Sequence, residues 1–126
     1  MFIRREGENE IRPDQVRAMA HGFYYLAEID GITDAEKDVI EEFLTEGNVG
    51  IDLASLANIP FSIEELVHSL DTVFLRKTFL RIAILLARAD GRISDKEMAV
   101  LRRLAQALGI DESLESLASD LEGKQL

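Results

Sequence analysis

Two segments of the chain carry the same pattern of residues, and this internal repeat limits the possible folds more than any other feature of the sequence. YYLAEIDG at residues 24–31 matches ILLARADG at residues 84–91, and ITDAE at residues 32–36 matches ISDKE at residues 93–97. In both copies an apolar segment runs into an Asp-Gly pair, and a second apolar segment follows. A repeated helix-turn-helix predicts two units related by an approximate two-fold axis, each burying the apolar face of the other.

Helical signals surround both copies of the repeat, and strand signals are almost absent. In the first copy Pro13 suits the opening turn of a helix, and apolar residues follow it three or four positions apart: Val16, Met19, Phe23 and Leu26. This spacing places them on one face of a helix. Thr33 with Glu36, and Ser94 with Glu97, match the S/T-x-x-E pattern of a capping box, which predicts the start of a further helix in each copy.

These signals predict an all-α fold, a compact single-domain bundle of about six or seven helices. We assign residues 1–126 to one domain, with repeat one at about residues 13–58 and repeat two at about residues 62–121. A chain of this length is typical of one domain. A third capping box, formed by Ser62 with Glu65, is expected to open repeat two.

One predicted helix, from about Thr72 to Ala89, differs from the others because its apolar residues occur on most sides. They include Phe74, Phe79, Ile82, Leu85 and Leu86. Such a helix is expected to lie at the centre of the fold. A last short helix is expected to begin near Asp111.

The distribution of charge limits the kinds of partner that this chain can bind. Its net charge of −10 arises entirely in residues 1–65, where fifteen Asp and Glu face five Lys and Arg, whereas residues 66–126 carry nine of each. Nucleic-acid binding depends on basic side chains that neutralise phosphates, so nucleic acid is not an expected partner. The acidic half is better suited to cations or to a basic protein surface.

The composition also indicates where the protein acts and excludes several kinds of site. Hydrophobic residues make up 47% and charged residues 30% of the chain, as in globular proteins. The longest apolar run, residues 82–87, is far shorter than a membrane-spanning helix, and no signal-peptide core follows Met1. The chain contains no cysteine, which excludes disulfides and thiolate metal sites. We therefore expect a cytoplasmic protein without an integral membrane segment.

Residues 90–97, DGRISDKE, resemble the second half of an EF-hand calcium loop. An alignment that puts Gly91 at the sixth loop position puts Glu97 at the twelfth, as that loop requires. The first and third positions then fall on Leu86 and Arg88, which supply no oxygen ligand, and the first copy of the repeat is one residue shorter. The same residues have a structural interpretation, in which the glycine ends one helix and the capping box begins the next.

Two functional hypotheses follow from the carboxylates in and after these turns. Hard cations prefer oxygen ligands, so a divalent-cation site is one hypothesis, with these candidate ligands: Asp30, Asp34, Glu36, Asp90, Asp95 and Glu97. The other hypothesis is an acidic surface that binds a protein partner, formed by Asp34, Asp38, Glu41 and Glu42. No catalytic residue or certain cofactor is identified, because the two histidines lie far apart and no phosphate-binding loop or nucleophile elbow occurs. We therefore expect no enzymatic activity.

The second copy, RIAILLARADGRISDKEMAVLRRLAQALGI, resembles the TerB-like domains of tellurite-resistance proteins and is similar to the N-terminal region of DjlA-type co-chaperones. The shared pattern is a helix, an Asp-Gly pair, an Asp-x-Glu segment and an apolar helix that ends in Gly, and it covers about residues 13–121. The resemblance implies a helical domain of bacterial stress-response systems without catalytic activity, in a metal-binding or scaffolding role. The acidic positions of the family fall on the six candidate ligands. The chain has no J-domain, so co-chaperone activity is not expected.

Overall fold

Seven α-helices and one 3₁₀ turn form the regular structure of residues 11–88 and 93–123, the part of the chain that the computed structural model describes. The helices are α1 (Pro13–Ala27), α2 (Asp34–Glu46), α3 (Leu53–Ala57), α4 (Ile63–Ser69), α5 (Val73–Ala87), α6 (Asp95–Ala107) and α7 (Leu114–Gly123), and the 3₁₀ turn is Glu28–Asp30. No strand occurs in these residues, which confirms the predicted all-α fold. None of these helices is long and apolar enough to cross a membrane. The domain limits and the approximate two-fold axis between the repeats stay predictions.

Helix α1 lies at the centre of the fold. It contacts α2, α3, α4, α5 and α6, and it buries the four apolar residues predicted from its spacing. Phe23 of α1 stacks on Phe79 of α5 with ring centroids 5.1 Å apart, and it packs edge to face on Phe43 of α2 at 5.3 Å. These three fully buried rings join the first helix pair to α5.

Helix α5 is less central than its sequence predicts. It packs against α1, α6 and α7, but Phe74 and Leu85 are 48% and 46% exposed. Two of the apolar residues on which the expected central position rests therefore face solvent. The apolar pattern of a single helix does not determine how many neighbours cover it, and that number is set by the tertiary packing.

The predicted caps form in the structure, with one difference. Thr33 and Ser94 accept the backbone N–H of the third helical residue in α2 and α6, as predicted. Ser62 accepts the N–H of Glu65 at 3.2 Å. The Glu65 side chain makes no return bond to a residue in the described ranges, so this third capping box is one-sided.

The last helix begins later than predicted. It starts at Leu114 rather than near Asp111. Ser113 provides the cap, since its Oγ accepts the N–H of Ser116 at 3.0 Å. A side-chain oxygen at this position satisfies one of the free N–H groups of the first turn, which accounts for the later start.

Arg76 joins the ends of two helices, a role that no pattern in the sequence indicates. Its guanidinium donates to the carbonyl oxygens of Val67 at 3.0 Å and Leu70 at 2.6 Å, at the end of α4. It also donates to the carbonyl oxygen of Leu108 at 3.0 Å, at the end of α6. The last carbonyls of a helix lack intrahelical partners and carry partial negative charge. A single cation therefore holds α4 and α6 beside the start of α5.

Candidate functional site

The first Asp-Gly turn joins α1 to α2 through the 3₁₀ turn and Gly31. Gly31 has φ +88°, a conformation that glycine adopts at little cost. Thr33 then caps α2: its Oγ1 accepts the N–H of Glu36 at 3.1 Å, and its own N–H donates to Glu36 Oε1 at 2.8 Å. The first turn thus has the structural role that the capping pattern predicts.

The second turn joins α5 to α6 and forms the same cap. Ser94 Oγ accepts the N–H of Glu97, and the N–H of Ser94 donates to Glu97 Oε1, both at 3.1 Å. Ile93, immediately before the cap, packs against the core. Asp90 and Gly91 lie outside the residues that the structure describes, so Asp90 as a metal ligand and Gly91 as a helix end stay predictions.

The two turns meet across a cleft of about 410 Å³, which we call the acidic cleft. Residues of both turns line it: Asp30, Gly31, Thr33, Glu36, Ile93, Ser94, Asp95 and Glu97. Four of the candidate metal ligands therefore surround one space, two from each turn. The candidate ligand Asp34 is not among the lining residues and is exposed at the first position of α2.

Electrostatic repulsion acts across the acidic cleft. Glu97 is only 6% exposed, and this burial raises the pKa of its carboxyl above the ordinary value. The negative charges of Asp30 and Glu36 in the other turn raise the pKa of Glu97 further, while the hydrogen bonds from Ser94 oppose the shift. The carboxylates of the two turns are therefore close enough to affect one another.

Among the described residues, the donor set of the acidic cleft is incomplete as a metal centre. In both turns the capping bond engages Oε1 of the glutamate. Within residues 11–88 and 93–123, no group of three or more His, Asp or Glu side chains is arranged to hold a metal ion. The described side chains can attract a cation by their charge, but they do not form a coordination shell by themselves.

Helix α2 carries a second set of carboxylates, which we call the acidic face of α2: Asp34, Asp38, Glu41 and Glu42. All four are exposed, and none of them forms an ion pair with another residue of the described ranges. Their spacing of three, four and eight residues places them on one side of the helix. The residues predicted to form an interaction surface thus lie together and face solvent.

Two basic side chains of the second half, in contrast, are engaged within the fold. Arg76 binds the helix ends described above, and Lys77 Nζ lies 2.9 Å from Glu112 Oε1. This contact with Lys77 and a hydrogen bond from Ser116 lower the pKa of the Glu112 carboxyl. The acidic face of α2 has no such compensation among the described residues.

A second cleft, of about 250 Å³, is not indicated by any sequence pattern, and we call it the aromatic cleft. Its lining includes His21, Tyr24, Tyr25, Glu28, Ile59 and Phe61. The first four belong to α1 and the 3₁₀ turn, and the other two belong to the connection between α3 and α4. The adjacent tyrosines give a weak signal in the sequence, but Phe61 is far away along the chain and reaches them through the fold.

Comparison with known proteins identifies the family. A family model described as "Tellurite resistance protein TerB" matches residues 9–118, a range that includes α1 to α6 and both turns. The chain belongs to the TerB family. This confirms the resemblance seen in the sequence. No curated protein and no solved structure gave a match.

Three features of this TerB-family domain lie within the matched residues: the acidic cleft, the acidic face of α2 and the aromatic cleft. The family description refers to tellurite resistance, which is a phenotype and specifies neither a reaction nor a ligand. A function for the domain therefore has to follow from the geometry and charge of these three features.

Proposed function

We propose that this TerB-family domain is a non-catalytic interaction domain of a bacterial stress response of the tellurite-resistance type, and that it binds a basic protein partner through the acidic face of α2. One observation carries the proposal: four exposed carboxylates on one side of a helix have no cationic partner within the described ranges. A cytoplasmic location and the absence of enzymatic activity belong to the same proposal.

The stability of α2 alone does not explain its acidic face. Asp38 lies four residues after Asp34 and four residues before Glu42, and like charges at this spacing cost about 0.2–0.5 kcal/mol per pair. A partner that supplies Lys or Arg side chains removes this repulsion. Charges of opposite sign also steer the two proteins towards each other before contact. The free domain carries this repulsion and the complex does not, so its removal favours binding.

A binding titration with a basic peptide tests this proposal. The probe is a fluorescein-labelled peptide in which glycine alternates with arginine, and its anisotropy is followed as the domain is added. We expect binding to the unmodified domain that weakens as salt is raised. We expect roughly tenfold weaker binding when the face is neutralised, because exposed ion pairs contribute about 0.2–1 kcal/mol each. The neutralised variant carries Asp34→Asn, Asp38→Asn, Glu41→Gln and Glu42→Gln.

A second variant controls for net charge. It removes four exposed carboxylates elsewhere, through Glu64→Gln, Glu65→Gln, Asp111→Asn and Glu115→Gln, and it should bind nearly as well as the unmodified domain. Equal weakening in the two variants would mean that the peptide responds to total charge, and the assignment to the acidic face of α2 would then be wrong. No binding to the unmodified domain at low salt would remove the proposal altogether.

A divalent cation in the acidic cleft is the second candidate function. The observation that favours it is the acidic cleft itself, in which Asp30 and Glu36 of one turn and Asp95 and Glu97 of the other surround one space. Burial, and to a smaller extent the charges of Asp30 and Glu36, raise the pKa of the Glu97 carboxyl there. A cation between the turns would offset this repulsion, and Asp90 is the additional predicted ligand.

Thermal melting with added calcium, zinc or manganese tests the cation hypothesis. Binding to the folded state raises the free energy of unfolding by about 2.7 kcal/mol when the ion is at a hundredfold excess over Kd. The same titration on Asp30→Asn and on Asp90→Asn should give a smaller rise. If millimolar metal leaves the melting temperature of the unmodified domain unchanged, the cation hypothesis is wrong.

A further inference from the structure

The aromatic cleft has walls that the fold holds in place. Tyr25 and Phe61 stack with ring centroids 4.6 Å apart, and His21 packs edge to face on Phe61 at 5.5 Å. His21 Nε2 lies 2.6 Å from the carbonyl oxygen of Ile59. Because His21 is buried in α1, this bond ties the connection between α3 and α4 to the central helix. The rings that line the cleft are therefore positioned before any ligand arrives.

A carboxylate lies in the same cleft. Glu28 is exposed, and it has no ion-pair partner among the residues that the structure describes. Burial raises the pKa of the Tyr24 hydroxyl, and the charge of the neighbouring Glu28 raises it further. Glu28 therefore lines the same cleft as the aromatic rings.

The aromatic rings and the carboxylate together determine which kind of chemical group the cleft can bind. Ring faces attract cations, and Glu28 repels an anion. A purely apolar group would leave the carboxylate without a partner. A guanidinium is planar and can stack on a ring while it forms paired hydrogen bonds with a carboxylate, whereas an ammonium is a strongly hydrated point charge. The exposed side chain of Ile59 adds an apolar surface for a long aliphatic stem.

We propose that the aromatic cleft binds an arginine side chain of the basic partner, with the guanidinium against Tyr25 and Phe61 and paired with Glu28. This inference rests on the proposed function, which requires a basic partner, and it specifies one anchor point for it. Glu28 and Asp30 belong to the same 3₁₀ turn, so the aromatic cleft and the acidic cleft adjoin. A basic segment anchored in the aromatic cleft would have its neighbouring cations next to further carboxylates.

The experiment compares two labelled peptides of equal length and charge, one alternating glycine with arginine and the other glycine with lysine. The unmodified domain should bind the arginine peptide more tightly. Phe61→Leu should weaken binding of the arginine peptide by roughly three- to tenfold, the range expected for a partly desolvated cation–π contact. Glu28→Gln should weaken it by a similar factor, because it removes the negative charge that pairs with the guanidinium. Phe61→Leu should affect the lysine peptide less.

Matched substitutions outside the cleft serve as controls. Phe74→Leu removes an exposed ring from α5, and Glu64→Gln removes an exposed carboxylate from α4; both should leave binding unchanged within about twofold. Because Phe61 is partly buried, its variant is compared by circular dichroism first. Glu28→Gln changes an exposed side chain, and it provides the decisive measurement if Phe61→Leu unfolds the domain.

The outcomes separate this inference from the proposed function. If the two peptides bind equally and neither cleft variant weakens binding, while neutralising the acidic face of α2 does, the arginine site is wrong and the proposed function stands. If the cleft variants weaken binding and the α2 variant does not, the arginine site stands and the role of the acidic face is wrong. Absence of binding to both peptides overturns both.

Discussion

Helices α2 and α6 have the same length and the same caps, but they carry opposite charges at two equivalent exposed positions. Each helix has 13 residues and begins with a complete capping box. The glutamate of each capping box is 6% exposed. On the outer sides, Glu41 and Glu42 of α2 occupy the positions that Arg102 and Arg103 occupy in α6, and all four are exposed.

This difference distinguishes the positions whose residues the fold requires from the exposed positions where different residues are compatible with the fold. The caps and buried faces of the two helices are alike because they decide where each helix begins and what it packs against. An exposed position outside the cap decides neither where the helix begins nor what it packs against. The same fold therefore accepts either sign of charge there. The acidic face of α2 is therefore not a requirement of folding, which supports a role in binding.

The largest effects should come from the buried faces. Ile40 of α2 and Leu101 of α6 are equivalent positions, and both are 0% exposed. Ile40→Ala and Leu101→Ala should each lower the free energy of unfolding by about 2–5 kcal/mol, because each leaves a cavity in the core. Urea unfolding followed by circular dichroism measures both. A cost below about 1 kcal/mol for one of them would show that the two buried faces are not equivalent.

The C-terminal ends of the two helices are held differently, and their variants should be next in size. The end of α2 packs so closely on α1 that a Cβ at Gly47 would overlap Val16, so Gly47→Ala should cost about 1–3 kcal/mol. At the end of α6, Arg76→Met removes the hydrogen bonds to three carbonyls and should cost about 2–3 kcal/mol. Thermal and urea unfolding give both values. A neutral Arg76→Met variant would show that the guanidinium does not hold these helix ends.

Smaller and equal effects are expected at the two caps. Thr33→Ala and Ser94→Ala each remove the oxygen that accepts an N–H of the first turn, at a cost of about 1 kcal/mol. Thr33→Ser retains the hydroxyl and serves as the control. If only one of the alanine variants is destabilised, the two turns differ in their caps and not only in their exposed charges.

The smallest effect on stability should be a change in pH dependence caused by Glu97→Gln. The pKa of Glu97 is raised in the folded state above its ordinary value of 4.5, so its contribution to stability is complete below that value and is lost as the pH rises through the folded pKa. Glutamine can still form the capping bonds but does not ionise. We expect the melting temperature of the variant to rise relative to the unmodified domain as the pH increases above 4.5. A difference that stays constant with pH would contradict the raised pKa of Glu97 in the folded state.

Local patterns predict most helix starts in both copies of the repeat, because a cap or an apolar face involves residues three or four positions apart. The sequence indicates the caps at Thr33 and Ser94 directly, and the structure contains both. The exposure of Phe74 and the bonds of Arg76 depend on which helices surround α5. No local pattern encodes that arrangement, so the sequence does not predict either feature.

The candidate site also has one part that the sequence predicts and one part that it does not. The repeat indicates that the two turns are related, and the structure places them around one cleft, although Asp34 lies outside its lining. The aromatic cleft combines residues of α1 with Phe61, which stacks on Tyr25 only after the chain has folded. When different kinds of residue from distant segments form a site, the sequence contains no regular spacing or motif that indicates it.

The most direct test of the claim that the acidic face of α2 binds a basic partner is to give it the charge of α6. The double variant Glu41→Arg, Glu42→Arg should keep the free energy of unfolding within about 0.5 kcal/mol and lose binding of the arginine peptide by at least about tenfold. Glu64→Arg, Glu65→Arg makes the same change of net charge on exposed residues of α4 and should retain most of the binding. Equal binding by the two variants would contradict the claim.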